Sequence, residues 1–185
     1  MSNKQQQILL AAESIIAQQG YHKLSMQKLA KQAGIAAGTI YRYFADKEAL
    51  TQALREHKMR QAASQVLAGS ESGTLQERCH RVWMNIAQFE LERDPDRLSY
   101  DQINQLPGSN NQESVQAARE IYQPLIEMFN HGVATQQFKP LDTEILGCVF
   151  LEPAIGLARR RRQGIEFNQE QLQQAYELCW QSITK

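Results

Sequence analysis

Hydrophobic residues recur along almost the whole chain at the spacing of three and four positions that collects them on one face of an α-helix. In the first such stretch Ile8, Ala12, Ile15 and Ile16 share a face, and Gly20 follows as a helix terminator. Alternation of apolar and polar residues, which would indicate β-strands, is almost absent. The pattern therefore predicts an all-α protein of about nine helices.

Residues that cap the amino ends of helices mark most of the predicted boundaries. They are Ser25, Asp46, Thr74, Asp142 and Asn168, of which Thr74 and Asn168 have capping-box partners in Glu77 and Gln171. The predicted helices span about residues 4–19, 26–33, 37–43, 46–67, 75–93, 95–106, 113–134, 143–163 and 169–184. Pro124 is predicted to kink the seventh helix, and Pro153 lies within the eighth.

The segment 25–50, SMQKLAKQAGIAAGTIYRYFADKEAL, joins two of these helices through a tight turn. Gly34 supplies the positive φ that such a turn needs. Ile35, Ile40 and Phe44 are expected to pack against the preceding helices and to hold the pair at a fixed angle. This is the pattern of a helix-turn-helix, which places its second helix in the major groove of DNA.

The short second helix turns hydroxyl, phenol and guanidinium groups outward, a set that suits a DNA groove better than a core. These outward residues are Thr39, Tyr41, Arg42 and Tyr43. Arginine reads guanine with two hydrogen bonds, and hydroxyl groups donate to phosphate oxygens. Gly38 would let the backbone approach DNA closely, and Lys47, at the start of the next helix, is placed to meet a phosphate. Spacing alone leaves open an ordinary solvated helix pair without a DNA role.

Charge is divided unevenly along the chain, although the net charge is zero. Residues 1–60 hold nine basic and four acidic residues, a balance of +5, and residues 61–185 hold eleven basic and sixteen acidic residues, a balance of −5. A basic first part on an acidic remainder indicates that the first part meets a polyanion. A nonspecific architectural DNA-binding protein would instead be basic overall.

Other classes of function find little support in the sequence. The four histidines (His22, His57, His80 and His131) stand apart, without a paired nucleophile, a phosphate loop or metal-ligand spacing, so no enzyme, metal site or cofactor is expected. The three cysteines are widely spaced and odd in number, which favours reduced thiols. No apolar run could span a membrane and the polar amino terminus is unlike a secretory signal, so we expect a cytoplasmic protein.

The stretch G-I-A-A-G-T-I-Y-R-Y-F-A-D-K-E-A-L resembles the signature of the tetracycline-repressor (TetR) family of transcriptional regulators, over about residues 4–55. The resemblance implies a three-helix DNA-binding domain, residues 1–48, and a helical effector-binding and dimerisation domain, residues 49–185. It also implies a sequence-specific regulator, by family default a repressor, that a small molecule releases from a palindromic operator. A regulator that acts through a partner protein while bound to DNA is the alternative.

The resemblance further implies a division of roles on DNA. Phosphates would be contacted by Ser25, Thr39, Tyr41, Tyr43 and Lys47, and base edges would be faced by Ala36, Ala37, Gly38 and Arg42, with Gln27 at the groove margin. Many family members carry serine or threonine where this chain has Ala36. Alanine can neither cap the helix nor hydrogen-bond a base, although it can touch a thymine methyl group.

The last two helices are expected to form a dimer interface, since helix-turn-helix proteins gain affinity by pairing and a four-helix bundle would bury both apolar surfaces. The family resemblance points to the same helices. These two helices hold more apolar residues than one core-facing side of each helix requires. The residues are Ile145, Leu146, Val149, Phe150, Leu157, Leu172, Ala175, Tyr176, Cys179, Trp180 and Ile183. Packing within one protomer alone is the alternative.

An effector pocket is also implied by the resemblance. Its candidate residues are aromatic side chains of the middle helices and one acid: Trp83, Phe89, Tyr100, Tyr122, Phe129, Phe150 and Glu152. An aromatic residue on such a helix is more often plain core than the wall of a ligand pocket. Glu152, expected among apolar neighbours, would pair with a cationic ligand or with an arginine across the dimer, and the arginine is favoured. The run Arg159–Arg162 suits the carboxyl end of a helix, with an anionic effector or a second nucleic-acid contact as alternatives.

Overall fold

The structure is a computed structural model that describes residues 2–89, 97–98, 102–103 and 105–185. Within them it contains nine α-helices: α1 (Asn3–Gln19), α2 (Met26–Ala33), α3 (Ala37–Tyr43), α4 (Lys47–Val66), α5 (Leu75–Ala87), α6 (Gln112–Ile121), α7 (Gln123–Ala134), α8 (Thr143–Arg162) and α9 (Gln169–Ile183). A 3₁₀ turn, Tyr21–Lys23, follows α1, and a single β-bridge joins Phe138 to Thr184 in the described part of the chain. The all-α prediction is confirmed.

The predicted helix starts carry the expected hydrogen bonds. Ser25 Oγ accepts from the Lys28 amide at 3.2 Å, Asp46 Oδ1 from the Ala49 amide at 2.8 Å, and Asp142 Oδ1 from the Glu144 amide at 2.8 Å. Complete capping boxes open α5 at Thr74 and α9 at Asn168. Each cap satisfies an amide that has no partner within its own helix.

The predicted single helix over residues 113–134 is wrong, because the structure has two helices there. They are separated at Tyr122, and Pro124 lies in the first turn of α7. A proline in a first turn loses no helical hydrogen bond, so this one begins a helix instead of kinking one. The fifth helix ends at Ala87, before the predicted break at residues 94–95. Most of the predicted helix over residues 95–106 lies outside the described residues.

The chain divides into two compact units, each with its own apolar core. Residues 1–60 and 91–118 form the first, here called the head, and residues 61–90 and 119–185 form the second, here called the body. The head core joins α1, α2, α3 and α4 through residues such as Ile8, Ile15, Leu29, Ile40 and Leu54. Three residues from later in the chain complete it: Leu98, Ile103 and Leu106.

The body core is built around aromatic rings. Trp83, Phe138, Phe150 and Tyr176 are almost fully buried, and Trp83 Nε1 donates to the Phe150 carbonyl at 3.0 Å. The ring centroids of Trp83 and Tyr176 lie 5.8 Å apart, and those of Phe150 and Tyr176 lie 6.1 Å apart. These spacings are typical of edge-to-face aromatic contact, which contributes beyond simple burial.

Candidate DNA-binding surface

The turn between α2 and α3 fixes the relative direction of the two helices. Gly34 adopts a left-handed conformation, with φ 63° and ψ 31°. The Ile35 amide donates to the Ala30 carbonyl at 3.1 Å and the Gly34 amide to the Lys31 carbonyl at 3.4 Å. This is the hydrogen-bond pattern of a glycine-terminated helix, and a side chain at Gly34 would strain it. The predicted reason for Gly34 is thereby confirmed.

The inner face of α3 is buried, as its apolar residues predict. Ile40 is fully buried and Phe44, directly after the helix, is almost so, while Ile35 packs at the edge of the same core. Leu29 of α2 and Ile15 of α1 belong to this core. The anchored inner face holds a helix of only seven residues that would not be stable by itself.

The outer face of α3 is open to solvent. Tyr41 is 54% exposed and Tyr43 37%, and Arg42 between them is exposed. Thr39 is half-buried one turn earlier. The structure therefore brings the hydroxyl, phenol and guanidinium groups of the predicted set onto one short helix, with all four side chains reaching solvent.

The amino end of α3 carries only small side chains and has no side-chain cap. Ala36, Ala37 and Gly38 are exposed, and Ala36 provides no side-chain cap. A β-carbon built on Gly38 would meet no atom within 4 Å, so packing within the protein does not require a glycine there. The open surface is consistent with close approach of a ligand backbone at this position.

Lys47 is held in place at the beginning of α4. Its Nζ donates to the Tyr21 carbonyl at 3.0 Å and lies 3.9 Å from the centroid of the Tyr21 ring. An ammonium over an aromatic face is stabilised by the ring's electron density. Lys47 is half-buried and still has donor hydrogens to offer an anion. The sequence pattern does not indicate the contact with Tyr21, because the two residues are far apart in the chain and only folding brings them together.

The two remaining predicted residues lie at the amino end of α2. Ser25 and Gln27 are exposed. The Ser25 oxygen accepts the capping bond from Lys28, so its hydroxyl proton can still be donated to a phosphate.

Two of the basic residues counted in the charge balance do not reach this surface. Arg55 is 2% exposed and Lys58 is 6% exposed, and both bind groups within the head. Residues 1–60 thus present seven of their nine basic side chains to solvent, at least in part.

The predicted effector residues differ widely in burial. Trp83, Phe129 and Phe150 are buried in the body core, with the Phe129 and Phe150 ring centroids 6.0 Å apart. Phe89 and Tyr122 are half-buried. Glu152 is exposed on α8, and Tyr100 lies outside the described residues.

An apolar patch remains uncovered on α8 and α9. Ile145 is 53% exposed, Val149 44% and Leu178 71%. Glu152 follows Val149 by three positions and shares its side of α8. Leu146, Phe150, Leu172, Tyr176, Cys179 and Ile183, all named as surplus apolar residues, are buried inside the body. Leu178 was missed because a lone leucine among polar residues gives no periodic signal.

The arginine run ends α8, as predicted, and Arg161 Nη1 lies 3.5 Å from the Ala87 carbonyl.

In the described residues there is no group of three or more His, Cys, Asp or Glu side chains arranged to hold a metal ion. Nor is any described helix both long enough and apolar enough to cross a membrane.

Known proteins resemble this chain over both units. A family model described as bacterial regulatory proteins, tetR family, matches residues 8–54. A second, described as tetracyclin repressor-like, C-terminal domain, matches residues 74–184. The solved structure of a putative transcriptional regulator of the TetR family from Vibrio parahaemolyticus has a TM-score of 0.84 and 38% sequence identity, covering 99% of this chain and 100% of that one.

Two curated relatives show how the similarity is distributed. An uncharacterized HTH-type transcriptional regulator from Haemophilus influenzae is 30% identical over 185 residues, which is 97% of this chain and 95% of that protein. The fatty acid metabolism regulator protein of Bacillus subtilis is 50% identical over 58 residues, which is 31% of this chain and 30% of that protein.

Proposed function

This chain belongs to the tetR family of bacterial regulatory proteins and is a helix-turn-helix transcriptional regulator, and from that premise we propose that it is a repressor. It would bind a palindromic operator as a homodimer and leave the operator when a small molecule binds the body. The observation that carries the proposal is the outer face of α3. It holds Tyr41, Arg42 and Tyr43 in solvent on a helix whose inner face is anchored in a core.

The contacts with DNA follow from the chemistry of this surface. Arg42 is the group able to read a base, because a guanidinium donates two parallel hydrogen bonds to guanine. Ser25, Thr39, Tyr41, Tyr43 and Lys47 would contact phosphates and fix the register of the helix, while Ala36, Ala37 and Gly38 would lie against base edges, with Gln27 at the groove margin. We retain residues 1–48 as the DNA-binding domain and residues 49–185 as the effector-binding and dimerisation domain.

Pairing would come from the apolar patch on α8 and α9. Exposed Ile145, Val149 and Leu178 are poorly placed for a monomer in water, and a two-fold axis would bury each of them against a second copy. Two heads then meet successive major grooves about 34 Å apart, and the two-fold axis that relates them is the reason for expecting a palindrome.

The effector would act on the aromatic core of the body. Trp83, Phe129 and Phe150 are buried in one core, and the Phe129 and Phe150 rings are in contact, so a ligand that reaches them would change their packing. Such a ligand stabilises an altered body, and it weakens DNA binding only by the difference between its affinities for the two forms. Phe89 and Tyr122, half-buried at the edge of the same unit, are the more accessible candidates for first contact.

The decisive experiment is selection of bound duplexes from a random DNA pool by the purified protein at moderate salt. We expect a single palindromic consensus, and Arg42→Ala should weaken binding and relax the sequence preference at one position of each half-site. Arg160→Ala, which removes an exposed arginine from the body, is the matched control and should bind as the wild type does. Recovery of unrelated sequences by folded protein would refute the proposal.

The dimer is tested separately by light scattering. Leu178→Glu places a charge in the apolar patch and should give a monomer at micromolar concentration. Val115→Glu, at a comparably apolar residue that is 46% exposed on α6, should leave the dimer intact. A dimer that survives both substitutions would place the interface elsewhere.

A further inference from the structure

A carboxylate of the head is buried away from the proposed DNA contacts. Glu13 of α1 has no exposed surface. Its Oε1 accepts from Lys58 Nζ at 2.9 Å and from the Leu98 amide at 3.0 Å, and its Oε2 accepts from Arg97 Nη1 at 2.9 Å. Such a cluster adds little stability compared with an apolar replacement, because removing the charges from water offsets their attraction. What it does impose is a defined geometry, since the bonds form only in one arrangement.

The three donors come from different parts of the chain. Lys58 belongs to α4, whereas Arg97 and Leu98 belong to a stretch that follows α5 in the sequence, here called the return segment (described residues 97–98, 102–103 and 105–114). Glu13 is therefore the point at which α1, α4 and the return segment are joined.

A second attachment lies one turn earlier on α4. Arg55 Nη1 donates to Ser114 Oγ at 2.9 Å, and Nη2 donates to the carbonyls of Leu106 at 3.3 Å and Pro107 at 2.5 Å. Arg55 is 2% exposed, so these bonds replace the hydrogen bonds of its two Nη groups to water, while the buried Nε has no partner. The return segment is thus bonded to Glu13 of α1 near its beginning and to Arg55 of α4 near its end.

Apolar packing strengthens the same attachment. Leu98, Ile103 and Leu106 of the return segment are at most 4% exposed and belong to the head core. Residues that come after the first body helix in the chain thus form part of the unit that carries the helix-turn-helix.

We propose that Glu13 is a positioning residue for DNA binding: by holding Lys58 and the return segment, it sets the direction of α4 against α1 and hence the place of Lys47. Lys47 and Lys58 lie on the same continuous helix, so a rotation at one end moves the other. This inference rests on the proposed DNA binding. Breaking the hydrogen bonds to Glu13 would then lower the affinity for DNA.

The main test removes the charges and keeps the fold. Glu13→Leu combined with Lys58→Met fills the site with apolar volume, and Arg97, whose side chain is 34% exposed, can turn to water. We expect this double variant to stay folded, with a melting temperature lowered only by the loss of the acceptor for the buried Leu98 amide, and to bind the selected duplex about tenfold more weakly, within the roughly 5- to 150-fold range of known couplings. The dependence of its affinity on salt should also fall, as it would if Lys47 no longer met its phosphate.

Arg97→Gln provides an independent variant with Glu13 and Lys58 intact. It should also weaken DNA binding, and Arg97→Lys should recover part of the affinity because it keeps the charge. Arg119→Gln breaks an exposed arginine–glutamate pair in the body and is the matched control, expected to bind DNA normally. Amide hydrogen exchange at Leu98 should quicken in the double variant, which reports release of the segment directly.

The outcomes separate the two proposals. If the wild type selects a duplex and both kinds of variant bind it equally well, the role assigned to Glu13 is refuted while the proposed function stands. The same holds if affinity falls only in proportion to the unfolded fraction. If the wild type selects no sequence, the proposed function fails, and this inference fails with it.

Discussion

Lys47 offers the sharpest test of the DNA-binding surface, because its charge and its restraint by Tyr21 can be removed by separate substitutions. Its ammonium is held by the Tyr21 carbonyl and ring and is expected to meet a phosphate. Every phosphate that the protein no longer neutralises lowers the slope of log K against log salt by about 0.9, so Lys47→Met should lower it by about 1.8 in a dimer with two heads. Tyr21→Leu should behave differently, since it removes the restraint and keeps the charge.

The effect of Tyr21→Leu can be estimated from the ordering of one side chain. Immobilising a long side chain on binding costs about 0.5–1.5 kcal/mol. In the wild type the contacts with Tyr21 already order Lys47 in the free protein, so the cost arises on DNA binding only in the variant. The affinity of two heads then falls by about 1–3 kcal/mol, a weakening of roughly 5- to 150-fold, at an unchanged salt slope. Leucine keeps apolar volume at a half-buried position, so the fold should survive.

The assay is fluorescence anisotropy with the selected duplex over a series of salt concentrations. Lys139→Met is the matched control, because Lys139 Nζ also binds a backbone carbonyl, that of Ser182 at 2.7 Å, but lies in the body. Its slope should equal that of the wild type. A wild-type slope in Lys47→Met would show that Lys47 releases no counterion and would refute the assignment of a phosphate to it.

Three further predictions concern the packing and titration of single residues. Gly132→Ala would drive a methyl group into the buried ring of Phe138, so urea unfolding at fixed protein concentration should show a destabilisation of about 1–3 kcal/mol, and a neutral result would mean that the ring can move. Burial lowers the pKa of His57, so the unfolded chain gains this proton first as the pH drops below the ordinary value of 6.5 and stability falls on the acid side. His57→Gln should show a smaller drop in melting temperature between about pH 7.5 and about pH 5.5, and an identical drop would remove His57 as the cause. Cys148 is exposed whereas burial raises the pKa of Cys79 to about 12, so mass spectrometry after alkylation at neutral pH should find Cys148 modified first, and the reverse order would contradict the packing.

Features that depend on neighbouring residues could be predicted from the sequence. The caps at Ser25, Asp46 and Asn168 bond amides three positions ahead, so the whole interaction is present in a short stretch. The turn at Gly34 is equally local, since its conformation satisfies carbonyls of the helix just before it. These signals are enough to predict the helix-turn-helix and the all-α class.

Features that depend on distant contacts could not be predicted. Arg55 and Lys58 count as positive charges in the sequence, but the return segment and Glu13 bury them. Their positions continue the buried stripe of α4, but an arginine and a lysine at such positions are ordinarily solvated. The helical break at Tyr122 was missed for a related reason, because a proline two residues later fits either a kink or a new start.

The surplus of apolar residues in the last two helices shows the same limit. The number of such residues predicted an interface, but most of the named side chains pack within the body, including Tyr176 and Cys179. The uncovered positions are Ile145, Val149 and Leu178, which only the packing of α8 and α9 could identify. Whether they join two copies is a prediction that light scattering tests.

No buried side chain belongs to both apolar cores in the described part of the chain. A substitution within the aromatic cluster of the body therefore alters none of the buried side chains that pack beneath α3. Over evolutionary time one core can accumulate changes and acquire new chemical preferences while the other keeps its architecture. After a gene duplication, the body of one copy could change its packing while the core of the helix-turn-helix stays the same in both copies.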